Sequence, residues 1–530
     1  MITRSRAITL AAVGNFFLVA FTVSSFAQSA AGGGQSAPWA RAAIAHAQRM
    51  RKFAGENRKA QQTPPVIPEV LIDRDPTGRI ASFRPGAATI TSRNPFFQDL
   101  GTNGRTCFTC HQPQNAWTIS AQAARDRFFQ SGGSDPLFRL VDGATCPSDD
   151  VSTPAAREEA YQLLISKGLI RVGLEIPANA QYAVVAVDDP YGCTSDPDTG
   201  LTSPTSGIVS VYRRPLPTAN LGFLSTIMWD GREPSLEHQA LDATLIHAQG
   251  NAPGPGAAQQ AQIVDFQSMI FTAQIFDDHA RSLHAKRSTL TLEVPIAGTN
   301  PLECVEDSFA QTGGPFALAA LLPDFFIGIN DPLGLNPCGT PFSADIFNLY
   351  AAWTNLDGNG ETDSFRKSIA RGEVVFDTKP INITGVAGLN DASNQASIPG
   401  NCGTCHDTPN VGNHSVKAPL SIGVADADPV SPLDISGLPV FTIECTSPES
   451  PLFGQTFHVT DPGRALISGN CADIGKVKGP ILRGLAARAP YFHNGSAATL
   501  ADAVEFYERR FNLGLTVQEK EDLVNFLGAL

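Results

Sequence analysis

The sequence predicts a mainly α-helical fold built as two modules with loop-rich, disulfide-stapled insertions, and three observations carry that prediction. The C-terminal third reads as capped amphipathic helices. The motif C-x-x-C-H occurs twice, in "TCFTCHQ" and "NCGTCHD". The 530 residues hold 47 glycines, 39 prolines and ten cysteines, a composition that signals long, cross-linked loops.

Taken in order, the chain opens on Arg4 and Arg6, an apolar run from Ala7 to about Val23, and small residues at Ser25 and Ala27. That pattern predicts a signal peptide over 1–27, a mature chain from Gln28 and a periplasmic or secreted location. No later run approaches the roughly 18 apolar residues of a membrane span. "WARAAIAHAQRMRKFAGENRKAQQ" predicts an exposed helix, and "VLIDRDPTGRIASF" a hairpin turning at Asp75 to Gly78. Loop-rich insertions follow near 130–210 and 250–345. Each contains two of the six cysteines outside the motifs, and neighbour pairing is expected: Cys146 with Cys193, Cys304 with Cys338, Cys445 with Cys471. The remainder begins with a helix around "SFRKSIARGEVVF". In "TLADAVEFYERRF", Thr499 and Asp502 form a capping box, and Leu500, Val504, Tyr507 and Phe511 share one face. A last helix has its box at Thr516 and Glu519 and apolar positions Leu523, Phe526, Leu527 and Leu530.

C-x-x-C-H attaches c-type haem: two thiols reach the vinyl groups and the adjacent histidine ligates the iron. Zinc ribbons set their C-x-x-C pairs about 15 to 20 residues apart, far closer than these. Two covalently attached c-type haems are therefore expected, on Cys107, Cys110 and His111 and on Cys402, Cys405 and His406. The domains are then 28–345 and 346–530, both cytochrome c-like. The formal charge of -13, with no basic run, excludes nucleic acid as a natural partner. All four methionines, Met1, Met50, Met228 and Met269, precede the second domain. Its sixth iron ligand must come from His414, His458, His493, Tyr350, Tyr491, Tyr507 or a lysine.

"GPILRGLAARAPYFHNGSAATLADAVEFYERRF" and "STIMWDGREPSLEHQA" resemble segments of the bacterial diheme cytochrome c peroxidase and MauG family. The resemblance implies that Tyr507, fourteen residues after His493, ligates the second iron, as a tyrosine does in the MauG branch and a methionine in the peroxidases. It implies that Trp229 relays electrons between the haems and that Gln239 is the distal-pocket glutamine. Gln249 stands where the family has its proton-shuttling glutamate; an amide cannot do that work, which turns attention to His247 or His238. The family also holds calcium between its domains, through an asparagine ahead of "PT" and carbonyls near "APY". Here Arg214 lies near the expected asparagine, and "NLDGNGETD" resembles the start of a calcium loop with Arg366 at the ligand position.

The expected activity is an exported diheme oxidoreductase that meets hydrogen peroxide or another oxidant at the His111 haem and takes electrons from a redox protein or small substrate. A diheme electron-transfer cytochrome and a haem oxygenase of an apolar substrate stay open as alternatives.

Overall fold

Between the two motifs, runs of β-branched and aromatic residues that form strands stand beside helical segments. The computed structural model describes residues 63–86, 88–192, 207–283 and 313–530. The signal peptide, the helix expected before residue 63, and Cys193 and Cys304 with their two pairings lie outside the described residues. The described ones fall in one compact unit, Lys59–Leu530.

The expectation of a mainly α fold is overturned, since the chain is 31% helical with 17% strand in several sheets. Runs such as "IRVGLE" and "YAVVAVD" favour a pleated surface, and the insertions read as loops are where these strands form. The main strands are β1 (Val70–Arg74), β2 (Gly78–Phe83), β3 (Ile170–Glu175), β4 (Tyr182–Asp188), β5 (Ile208–Arg213), β6 (Phe271–Asp277), β7 (Arg281–Ser282), β8 (Val440–Cys445) and β9 (Thr456–Val459). They make an antiparallel sheet β1-β2-β6-β7, a second sheet β9-β8-β4 and a pair β3-β5. The expected hairpin is β1–β2, turned by the Asp75 carboxylate accepting from the Thr77 and Gly78 amides at 2.8 Å each. Gly78 is required there, because a Cβ would stand 2.1 Å from the Phe276 carbonyl on β6. β4 lies in the first insertion and β8 in the C-terminal part, so their pairing ties the two regions together. Cys445, at the end of β8, is bonded to Cys471, as expected.

Among the described residues six longer helices complete the frame: α1 (Ala121–Ser131), α2 (Leu236–Ile246), α3 (Ala257–Ser268), α4 (Glu361–Thr378), α5 (Leu500–Phe511) and α6 (Val517–Gly528). The capping boxes expected at α5 and α6 form: Thr499 and Asp502 exchange hydrogen bonds at 3.1 and 2.9 Å, and Thr516 and Glu519 at 3.1 and 2.7 Å. Ile369, Ala370 and Phe376 of α4 pack with Leu523 and Phe526 of α6 in the largest apolar core. Gly372 sets the crossing distance, since a Cβ there would sit 2.0 Å from the Asp522 carbonyl. Tyr507, Cys402 and Cys405 border the same core, so the helix packing places the second motif beside α5.

Candidate functional site

The first motif forms a one-turn helix, Cys107–Cys110, capped by Thr106 and Thr109 and ending at His111. His111 Nδ1 lies 2.8 Å from the Trp117 carbonyl, and Trp117, fully buried, donates its indole N–H to Ser82 Oγ on β2 at 2.7 Å. Donation from Nδ1 leaves Nε2 as the free lone pair, the arrangement of an oriented metal-ligating histidine. Burial holds the His111 pKa down to about 4, so the imidazole is neutral and can ligate. Burial also pushes the Cys107 thiol up to about 12 and raises Cys110. Such thiols are unlike the exposed, low-pKa thiolates of a redox dithiol.

The second motif repeats this chemistry. His406 Nδ1 is 3.1 Å from the Gly412 carbonyl, burial lowers the imidazole to about 4, and burial pushes Cys402 and Cys405 up to about 12. None of the four motif cysteines forms a disulfide.

One cavity, with about 1350 Å³ of empty space including its mouth, brings together Cys107, Cys110, His111, Trp229, Gln239 and His247. Its walls are mainly apolar, with Leu100, Leu216, Leu224, Ile227 and Leu236 among them. Sites for large cofactors have this character. Trp229 donates its indole N–H to the Arg214 carbonyl at 2.7 Å, and its own carbonyl accepts from Lys478 N at 2.8 Å. Its ring meets His493 edge-on at 6.1 Å, and its apolar cluster includes Phe506 with Tyr507 packed against it. Trp229 therefore lines the first cavity and belongs to the apolar cluster that holds Phe506 of the helix bearing Tyr507.

The two histidines proposed to replace the missing glutamate part company. His238 is exposed on the first turn of α2. His247, the C-cap of α2, lines the cavity, and its Nδ1 is 2.6 Å from Asp142 Oδ2. Arg105 Nη1 holds the other oxygen of Asp142 at 2.6 Å. Burial would raise the Asp142 carboxyl, but Arg105 and His247 outweigh it and keep it below the usual carboxylate range. Gln249 is exposed, in a left-handed turn with φ 54°, and bonds Asn103 at 3.3 Å outside the cavity wall.

Among the tyrosines, Tyr182, Tyr191, Tyr212, Tyr350 and Tyr491 donate their hydroxyls to backbone carbonyls. Tyr507 makes no side-chain hydrogen bond among the described residues. Burial, then the nearby Cys405 and Cys402, raises its phenol. His458 is spent on Thr442, and His493 packs on Trp229. His414 lies closer to the second motif, its ring 6.4 Å from His406 and packed against Gly479.

A haem fits these surroundings. Lys478, Arg488 and Arg214 are buried without a carboxylate partner among the described residues, and Arg488 Nε has no hydrogen bond. Burial, reinforced by Arg488, brings Lys478 down to about 7 and Arg214 to about 9. Such uncompensated cations match the propionates that a haem carries. Calcium does not fit. Arg214 itself donates to the carbonyls of Ile119 and Arg488 at 2.8 Å and of Lys167 at 3.1 Å, so a guanidinium takes up carbonyls beside "APY". In "NLDGNGETD", Asp363 faces Arg366 at 3.9 Å and Lys367 Nζ takes the Gly358 carbonyl at 3.0 Å. No cluster of three or more metal-ligating side chains occurs among the described residues.

Sequence reasoning missed Asp142 and Arg105, which folding brings to the cavity, and Lys478, whose backbone N–H meets the Trp229 carbonyl. No family model matches the chain. Among curated proteins, cytochrome-c peroxidase IdrP1 of Denitromonas iodatirespirans is 41% identical over 81 residues, covering 13% of this chain and 22% of that protein. IdrP1 of Pseudomonas sp. (strain SCT) is 37% identical over 81 residues, and IdrP2 of Denitromonas iodatirespirans 44% over 78, with 13% of this chain and 21% of each relative covered. The chain thus spans about a fifth of the length of the curated relatives it matches. Among solved structures, the crystal structure of a MauG-like protein associated with microbial copper homeostasis overlaps 60% of this chain and 75% of its own, at 18% identity and a TM-score of 0.27. No described helix is long and apolar enough to cross a membrane. The peroxidase-named relatives support the resemblance read from the two segments, to the diheme cytochrome c peroxidase and MauG family, whose members carry haem.

Proposed function

We propose that the chain is an exported diheme c-type oxidoreductase of the cytochrome c peroxidase/MauG type, with haems attached through Cys107, Cys110 and His111 and through Cys402, Cys405 and His406. The attachment modules would fall in 28–345 and 346–530. The reading is supported above all by one cavity lined by His111, Trp229, Gln239 and His247. A haem bound there would supply the iron and the electrons that reduce a peroxide.

The chain's own residues do the rest. His111, oriented through Trp117, would hold the first iron. Gln239 offers an amide to a bound oxidant. His247, oriented by Asp142, accepts a proton at Nε2 in place of the absent glutamate. Trp229 joins the cavity to the cluster around Tyr507 and relays electrons. Tyr507, its hydroxyl unspent, would hold the second iron, and a hard oxygen there would favour ferric iron and a low potential. A redox protein or small substrate supplies the electrons.

The test is spectroscopy of the isolated protein before and after one equivalent of peroxide. One high-spin and one low-spin ferric haem, both responding to peroxide, are expected; two low-spin haems inert to peroxide would make the protein an electron carrier. The apolar cavity wall favours a second reading, a haem oxygenase of an apolar substrate, which a stable oxygen complex with no peroxide response would establish.

A further inference from the structure

The two modules repeat one another in backbone detail. In each attachment turn the histidine gives Nδ1 to the carbonyl six residues on, and the residue bearing that carbonyl is left-handed: Trp117 at φ 58° and Gly412 at φ 75°. The segments that close over the two sites match as well. An isolated antiparallel bridge joins Ile227 to Glu233 in one and Tyr491 to Ala497 in the other. Met228 and Phe492 are left-handed at φ 66° and 65°, as are Gly231 and Gly495 at 69° and 65°. Ser235 and Thr499 cap α2 and α5, which start at Leu236 and Leu500. Each pair in the closing segments is 264 positions apart, so the two arms align without a gap, and Tyr507 corresponds to Ala243.

We propose that Ala243 keeps the His111 site open to an external ligand, by placing a methyl group at the helix position from which Tyr507 reaches the His406 site. This rests on the haem reading above. Ala243 lines the cavity, and a methyl group has no lone pair to offer iron. Gln239 and His247 stand four residues before and after it, on the same helix face, and line the same cavity. An oxidant taking the place left by Ala243 is flanked by an amide and an imidazole. On α5 the matching positions are Ala503, Tyr507 and Phe511, with the last two rings stacked at 6.3 Å. One arm presents polar groups around a gap, and the other fills the gap with a phenol backed by an apolar ring.

The test replaces Ala243 with methionine or histidine in the full chain, with haem content, ferric spin state and cyanide binding as readouts. Both haems are retained, the high-spin signal of the parent converts to six-coordinate low-spin, and cyanide binding is lost. The reverse variant, Y507A, makes the His406 haem high-spin and able to bind cyanide. The proposal is overturned if A243M or A243H carries two haems with the parent's high-spin signal, or if Y507A leaves the His406 haem low-spin. Should the Ala243 variants fail to accumulate, Y507A decides alone. Absence of haem from the parent protein would instead defeat the functional reading beneath it.

Discussion

The two C-x-x-C-H modules share a turn, a histidine orientation and a closing helix, yet differ in what the helix presents. Around His111, α2 offers Gln239, Ala243 and His247 to a cavity; at the matching positions of α5, Ala503 is followed by Tyr507 and Phe511, which pack on the core that Cys402 and Cys405 border. The same backbone thus borders a cavity in one case and a packed core in the other, through side chains at four-residue spacing. The lesson is that duplicated frames diverge in chemistry by side-chain choice, because the frame is held by caps and left-handed turns that tolerate the exchange.

The largest effect should come from breaking the open side. His111→Ala removes peroxide reactivity altogether, with the His406 haem's spectrum preserved, as stopped-flow absorbance would record; intact turnover would end the assignment of the open site. Next, Tyr507→Phe keeps the packing but removes the oxygen, so the His406 haem loses its low-spin signature and its potential changes in spectroelectrochemistry. If that spectrum changes in a His414→Ala variant and not in Tyr507→Phe, the closing ligand is His414.

A smaller loss is expected from Asp142→Asn. The His247 ring loses its orienting carboxylate, and peroxide reduction slows by about a hundredfold while both spin states stay as in the parent. Unchanged kinetics would remove His247 from proton transfer.

The closed module also carries a pH dependence. Burial raises Asp377, beside Cys402, to about 8 and Glu373 to about 7. Between the ordinary carboxylate range and those values the folded chain holds protons that the unfolded chain has released. Stability therefore falls as pH rises through that window, and it is greatest below it. Asp377→Asn should flatten the slope of denaturation midpoint against pH; an unaltered slope would place the effect elsewhere. The smallest effect is expected between the modules, where Arg214 holds the carbonyls of Ile119, Lys167 and Arg488. Chelation should leave the melting temperature and spin states unchanged, and a chelator-induced shift reversed by calcium would contradict the misfit.

Much of this was legible in order along the chain. The motifs, the helix caps at Thr499 and Thr516, the hairpin at Asp75 and the apolar face carrying Tyr507 depend on neighbours a few residues apart, and spacing exposes such neighbours. The likeness of "IMWDGREPSL" and "YFHNGSAATL" was open to inspection too, since an aromatic ring or imidazole, Asp or Asn, Gly, and Ser or Thr before Leu recur in register. The mainly helical expectation failed because the strands of the insertions acquire their partners at long range, β4 on β8 and β2 on β6.

What the sequence by itself determined is the local chemistry: two C-x-x-C-H motifs, no methionine after the second, and an acidic chain without a basic run. What only the tertiary structure decided is the company each group keeps. Asp142 meets His247 across 105 positions, Arg214 meets the Arg488 carbonyl across 274, and Trp229 meets His493 from a segment far away in the chain. Those choices depend on burial, which makes an unpaired charge or a misdirected ring costly, and burial is a property of the folded whole rather than of any short stretch.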